Sequence, residues 1–186
     1  MSEAATGEET LLARLARGDE AALAEAYAQH GTMVFNACLR LLDDPHDAED
    51  ATQAAFLVLW RRAGRLRPAT DLGGWLHQAA VWTAREVRRG RKRRETRERR
   101  AAEMRDETHA PTGAEWSAIS GELDEEIQRL PTRERSALVL IYLEGLSRSE
   151  AAARLAMPEG TVATLTRRAL ERLRERFGRR GKVLSV

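Results

Sequence analysis

Residues 146–173, LSRSEAAARLAMPEGTVATLTRRALERL, admit few folds other than two short amphipathic helices that turn sharply around Pro158. Ser147 and Glu150 form a capping box, in which each side chain satisfies the other residue's backbone amide. Ala151, Leu155, Val162, Ala169 and Leu173 supply the packed seam, and the second helix runs from Glu159 to about Phe177. This is a helix-turn-helix pattern, with the free amides near Thr161 placed for phosphate or base contact. Similar hairpins occur in pure interaction domains, so the motif alone leaves DNA binding and protein binding both open. Ala163, Leu165 and Leu170 also sit where a DNA reader would carry polar or basic side chains.

The rest of the chain reads as helix too. Aromatics are 5% of its 186 residues and charged residues 32%, a composition that favours helices rich in Ala, Leu, Arg and Glu over sheet. Thr6 and Glu9 resemble a capping box before a short helix carrying Leu11, Leu12 and Leu15. Gly18 breaks that run, Asp19 caps a second helix to about Gln29, and Met33 to Leu42 supply the apolar face of a third. Asp44 before Pro45 starts a strong helix to about 63. A loop containing Pro68 follows, and Asp71 caps a long helix that runs into an arginine-rich stretch. Met104 to Trp116 has the Pro, Gly and polarity of a linker. Leu123, Ile127 and Leu130 begin a second helical set, in which PTRERSALVLIYLEG ends at Gly145. The expectation is an all-α protein of two small helical domains, 8–103 and 119–178, joined by a flexible acidic linker at 104–118.

The net charge of +2 diagnoses nothing, but its distribution is uneven. Arg85 to Arg100 holds 10 basic and 3 acidic residues, Arg167 to Lys182 holds 8 and 2, and Glu103 to Glu126 between them holds 8 acidic and one basic. Two cationic zones therefore flank an anionic connector. Basic density of this kind neutralises phosphates, or is simply the solvated end of a helix.

Catalytic chemistry has no foothold. His30, His46, His77 and His109 fall in separate segments without a partner at metal-ligand spacing. No phosphate loop, nucleophile elbow or HExxH pair occurs, so neither an enzyme nor a metal or cofactor site is expected. Cys38 lies one turn from Val34 and Leu42 and reads as a buried structural thiol rather than a redox sensor. His77 reads as a surface or boundary side chain rather than a sensor. MSEAATGEET lacks the features of a signal peptide and no apolar run approaches a membrane span, so a cytoplasmic protein without membrane insertion is expected.

Asp43, Asp44, Asp47, Glu49 and Asp50, followed by Gln53, Phe56, Leu57 and Trp60, are either a solvated helix start over a core stripe or a docking surface for a basic helical partner. Trp75 and Trp82 either pack in the core or stack on exposed bases.

In chain order these motifs resemble the extracytoplasmic-function (ECF, group IV) sigma factors of bacterial RNA polymerase. DAEDATQAAFLVLWRR is similar to the core-binding helix of sigma region 2. GGWLHQAAVWTAREVRR is similar to the segment that melts and reads the minus-ten element, and LPTRERSALVLIYLEGLSRSEAAARLAMPEGTV to region 4, the minus-thirty-five reader. The resemblance covers about 8–177 apart from the linker. It implies that Asp47, Asp50, Gln53, Phe56 and Trp60 dock on core polymerase, and that 64–74 form a loop capturing a flipped promoter base. It further implies minus-ten contacts by Arg67, Trp75, Trp82, Arg85, Arg88 and Arg89, and minus-thirty-five contacts by Ser147, Thr161, Thr164, Arg167 and Arg168. The implied partners are core RNA polymerase, promoter DNA and an anti-sigma factor or other regulatory protein, with no cofactor.

Two departures stand out. Trp82 and Glu86 replace the family's Asn and Asp. Ala163, Thr164 and Leu165 replace its Lys-Ser-Arg run, and Leu170 a later basic residue, so an atypical recognition helix is expected. Leu165 touches a thymine methyl, or Leu165 and Leu170 extend the core or form a partner patch. The competing readings are a stand-alone helix-turn-helix regulator and a helical adaptor.

Overall fold

The computed structural model describes residues 11–67, 70–102 and 122–179. Among them are eight α-helices and no strand: α1 (11–16), α2 (Glu20–Leu42), α3 (Pro45–Arg62), α4 (Leu72–Ala102), α5 (122–128), α6 (Thr132–Leu138), α7 (Arg148–Arg154) and α8 (Glu159–Gly178). The Thr6 and Glu9 box, Pro68, the connector 104–118 and the first residues of the second domain lie outside the described residues.

Local chemistry sets most boundaries. Gly18 turns with φ +79°, and the Asp19 side chain accepts from the amides of Ala21 and Ala22 to open α2. Asp44 caps α3 through the amides of His46 and Asp47, with Pro45 at its first position. The Asp71 carboxylate accepts from the Gly74 amide at 3.0 Å to open α4.

One boundary differs from expectation. α2 continues through Gly31 instead of breaking into two helices. Ala22, Ala26, His30, Val34, Ala37, Cys38 and Leu41 form one buried stripe across both halves, and its burial outweighs the roughly 1 kcal/mol cost of a mid-helix glycine. The Tyr27 ring packs beside Gly31, at 3.2 Å from where a Cβ would stand.

α2, α3 and α4 pack against one another, with Leu11, Leu12 and Leu15 of α1 joining their core. In the second domain α6 and α7 pack on α8. After Leu138 the chain widens into a π-helical turn, Val139–Leu143, before Gly145 reverses it at φ +74°. The two domains are packed together: Ile127, Leu130, Leu138, Ala169, Leu173 and Phe177 belong to the same buried cluster as the first domain's core. A smaller cluster, Ala137, Leu140, Ala151, Ala152 and Val162, belongs to the helix-turn-helix alone. Gly73 and Gly74 sit at the domain contact: a Cβ on Gly73 would meet Glu144 Oε1 at 2.5 Å, and one on Gly74 would meet Ser136 Oγ at 3.0 Å.

His77 corrects the sequence expectation. It is fully buried, with Nε2 2.9 Å from Asp124 Oδ1 and Nδ1 2.8 Å from the Gln128 amide nitrogen. The polar partners that make its burial tolerable come from the second domain, 47 and 51 residues away.

Candidate nucleic-acid and partner interfaces

The outer face of α3 carries Asp50, Gln53 and Leu57, all exposed, with Asp47 at its edge. Asp47 faces Arg91 of α4 at 3.7 Å. Leu57, which the sequence reading includes in the stretch that is either core stripe or docking surface, is 53% exposed and falls four residues after Gln53 and seven after Asp50, on their side of the helix. Of the two roles left open for Phe56, burial favours the core stripe: it is 4% exposed, and its ring lies at a tilt to that of Tyr27 with centroids 4.8 Å apart, so it packs α3 against α2. Trp60 is half-buried, with its ring over Gly18. The exposed aliphatic position and the flanking acids make this face suited to a basic helical partner.

Trp75 and Trp82, two turns apart on α4, line an open cavity of about 350 Å³ with Val58 and Arg62 of α3 and with Gln78 and Ala79. Trp75 is partly buried against the core, whereas Trp82 is 51% exposed. The cavity therefore offers an aromatic face, an amide and a guanidinium at one place, the chemistry that holds an unstacked base. Arg67 is exposed on the loop before α4. Further along α4, Arg85 and Arg88 converge on the Glu125 carboxylate of α5, and Arg89 pairs with Glu86 on its own helix.

In the helix-turn-helix, Ser147 accepts from the Glu150 amide at 3.2 Å and Glu150 accepts from the Ser147 amide at 2.8 Å. Ser147 thus acts as the cap of α7. Ala156 turns the chain with φ +50°. On α8, Thr161, Arg167 and Arg168 are exposed, and Arg167 donates to Glu171 at 2.7 Å. The Thr164 hydroxyl donates back to the Gly160 carbonyl. Leu165 packs on the helix-turn-helix cluster and Leu170 on the main core, flanking the buried stripe Val162, Thr166, Ala169, Leu173 and Phe177. Of the roles left open for these leucines, the structure supports core extension.

Among the described residues no group of three His, Cys, Asp or Glu side chains is placed to hold a metal ion, and no helix is long and apolar enough to cross a membrane. Burial pushes the Cys38 thiol up to about 11, which removes its nucleophilic thiolate at neutral pH.

A helical domain with an acidic, partly apolar outer helix face and a tryptophan-lined cavity, followed by a helix-turn-helix, defines a two-domain all-helical protein with surfaces suited to DNA or to a protein partner. Family comparison agrees in both halves: the Sigma-70 region 2 model matches residues 26–94 and the Sigma-70 region 4 model residues 120–173. The chain is 33% identical over 166 residues to the ECF RNA polymerase sigma factor SigE of Mycolicibacterium smegmatis, covering 86% of this chain and 64% of that protein's length. It is 30% identical over 183 residues to ECF RNA polymerase sigma factor SigF of Caulobacter vibrioides, covering 96% and 98%. Among solved structures, CnrH in complex with the cytosolic domain of CnrY aligns at 24% identity with a TM-score of 0.44, over 89% of this chain and 94% of that one. The chain belongs to the ECF RNA polymerase sigma factors. That membership favours a sigma factor over the stand-alone regulator and the adaptor.

Proposed function

We propose that this chain is a group IV ECF sigma factor that directs core RNA polymerase to specific promoters, without catalytic residues or a cofactor of its own, in the cytoplasm. The observation that carries the reading is the order of matches: region 2 ends at 94 and region 4 begins at 120, leaving no room for an intervening domain. Domain 8–103 then binds core polymerase and the minus-ten element, 104–118 is a tether, and domain 119–178 reads the minus-thirty-five element.

Asp47, Asp50, Gln53 and Trp60, with Leu57 added and Phe56 behind them, form the core-polymerase face. Trp75, Trp82 and Arg67 take the melted minus-ten strand, with Arg85, Arg88 and Arg89 along its backbone. Thr161, Thr164, Arg167 and Arg168 face the upstream duplex, and Ser147 fixes the start of the supporting helix. The upstream reader is atypical because Leu165 and Leu170 pack inward and leave two arginines to supply most of its charge on this face. An anti-sigma factor or other regulatory protein is the expected further partner, since ECF sigma factors are commonly held in check by one.

The test is run-off transcription from a genomic fragment library with purified core polymerase, with and without the protein. New discrete start sites that share an upstream sequence support the proposal. Failure to bind core polymerase at all would remove it.

A further inference from the structure

A second concave site lies on the flank of α4 turned away from the tryptophan cavity. Arg91 follows Trp82 by nine residues, about two and a half helical turns, and so faces the opposite side of the helix. There an open cleft of about 340 Å³ is enclosed by the three long helices of the first domain: Leu41 and Leu42 at the end of α2, Asp47 in the first turn of α3, and Arg88, Arg91 and Lys92 on α4. The three cations are spaced three and four residues apart, which puts them on one face of α4. None of the roles assigned above uses Lys92 or Arg91, and every lining residue belongs to the first domain.

The walls carry three separate chemistries. Arg88, Arg91 and Lys92 outnumber the one carboxylate, so the cleft attracts an anion, and guanidinium with ammonium groups is the set that binds phosphate oxygens. This charge comes from side chains and not from the start of α3, where the amides of His46 and Asp47 are already taken by the Asp44 carboxylate. Arg91 lies 3.7 Å from Asp47 and Arg88 3.5 Å from Glu125, long and partly solvated pairs that a doubly charged phosphate outcompetes. Leu41 and Leu42 supply an apolar wall, and Asp47, an acceptor only, calls for a ligand with N–H or O–H donors of its own. Inorganic phosphate meets the first of these demands alone. A nucleotide meets all three, through its phosphates, the face of its base, and its ribose hydroxyls and base N–H groups. The volume is at the small end of the range for ligand sites, about 300 to 1,000 Å³, which suits one nucleotide.

We propose that this cleft binds a ribonucleoside diphosphate. Arg91 and Lys92 hold the phosphates, the leucines face the base, and Asp47 orients Arg91 and accepts from the ribose or base. The backbone of a DNA strand offers the same phosphate chemistry, but its sugar hydroxyls are esterified or absent, so it brings Asp47 a repelling charge without the ribose donors.

Isothermal titration calorimetry of the full chain with GDP, with inorganic pyrophosphate and with a short single-stranded DNA tests the proposal. GDP should bind one to one, and pyrophosphate about tenfold more weakly. Arg91→Gln and Lys92→Gln should each weaken GDP binding about tenfold, and both side chains are exposed, so the variants keep the fold. Arg17→Gln removes the same charge near Trp60, at the far end of α3, and should leave GDP binding unchanged. Asp47→Ala should act with opposite signs on the two ligands, weakening GDP, which loses an acceptor, and tightening pyrophosphate, which loses a repelling neighbour. The absence of GDP binding overturns the site, as does equal affinity for GDP and pyrophosphate, equal weakening by Arg17→Gln, or tightening of both ligands by Asp47→Ala. Should the DNA and not GDP depend on Arg91 and Lys92, the cleft is a strand contact and the nucleotide site falls.

Discussion

Arg40 and Asp124, 84 residues apart, meet in a two-pronged ion pair in which Nε and Nη2 each donate to a different carboxylate oxygen. Asp124 is fully buried, and His77 lies against the Oδ1 side. Burial pushes its carboxyl up, but the hydrogen bonds from Arg40 and His77 together outweigh that and hold it below the ordinary range. Asp124→Ala strands a buried imidazole and a half-buried guanidinium and should cost about 3 kcal/mol, read from the shift in urea midpoint. The depressed value fixes the sign with pH: the stabilisation is complete above the unfolded carboxyl's pKa, near 4, and is lost as pH falls through the folded value. Below about pH 4 the parent should therefore lose stability more steeply than Asp124→Asn as the pH falls.

Asp71 is the opposite case on the same seam. Burial pushes its carboxyl up, with nearby Glu144 adding to the shift against the Ser136 hydrogen bond. Its cap on α4 needs an acceptor but not a charge, and Asn supplies that equally well. Asp71→Asn should be at least as stable as the parent at neutral pH. Because a raised carboxyl costs stability as pH rises through its folded value, the advantage should vanish toward pH 3. Asp71→Ala, which removes the cap, should lose about 1 kcal/mol. Thermal melts of the three proteins at two pH values decide it.

The local part of this structure was legible and the long-range part was not. Asp19, Asp44, Asp71 and the Ser147 and Glu150 box act within a few residues of chain, so their sequence signature is their physics. The continuation through Gly31 was missed because a glycine's cost is local while the stripe that offsets it is satisfied only against α3 and α4. His77 was misplaced for the same reason: its burial depends on Asp124 and Gln128, partners with no fixed spacing to it. Leu57 was legible, since its position on the Asp50 and Gln53 side of α3 follows from helical geometry. The seam between the domains has no local signature at all.

Cys38 should be inert. Its thiol is buried, its Sγ lies 3.8 Å from the Ala80 carbonyl, and its pKa of about 11 leaves little thiolate. A thiol-specific disulfide reagent should react at the rate of unfolding in buffer and at once in concentrated urea. Rapid reaction in buffer would show that α2 and α4 open locally around it.

Trp75 and Trp82 share a cavity but should separate in their effects. Trp82 is half exposed, so Trp82→Ala should leave the urea midpoint within about 0.5 kcal/mol of the parent. The same change removes a stacking face and should weaken binding of single-stranded minus-ten DNA by about 1 to 3 kcal/mol. Trp75 is packed against the core, and Trp75→Ala should lose about 2 kcal/mol of stability. Equal destabilisation by both would place Trp82 in the core and leave the cavity without a stacking platform.

On the recognition helix the leucines and the arginines should fail in different assays. Leu165 rests on the small cluster formed with Leu140, Ala151 and Val162, so Leu165→Ala should cost about 1 kcal/mol of stability and leave the preferred upstream sequence unchanged. Arg168 is exposed, and Arg168→Ala should weaken duplex binding at every sequence and lower the slope of log affinity against log salt by about one unit. Arg167 is held by Glu171 at 2.7 Å, so Glu171→Gln should free it and tighten duplex binding modestly. Binding isotherms at several salt concentrations on one promoter duplex separate these outcomes. A changed sequence preference in Leu165→Ala, with stability intact, would move that side chain from the core to the DNA.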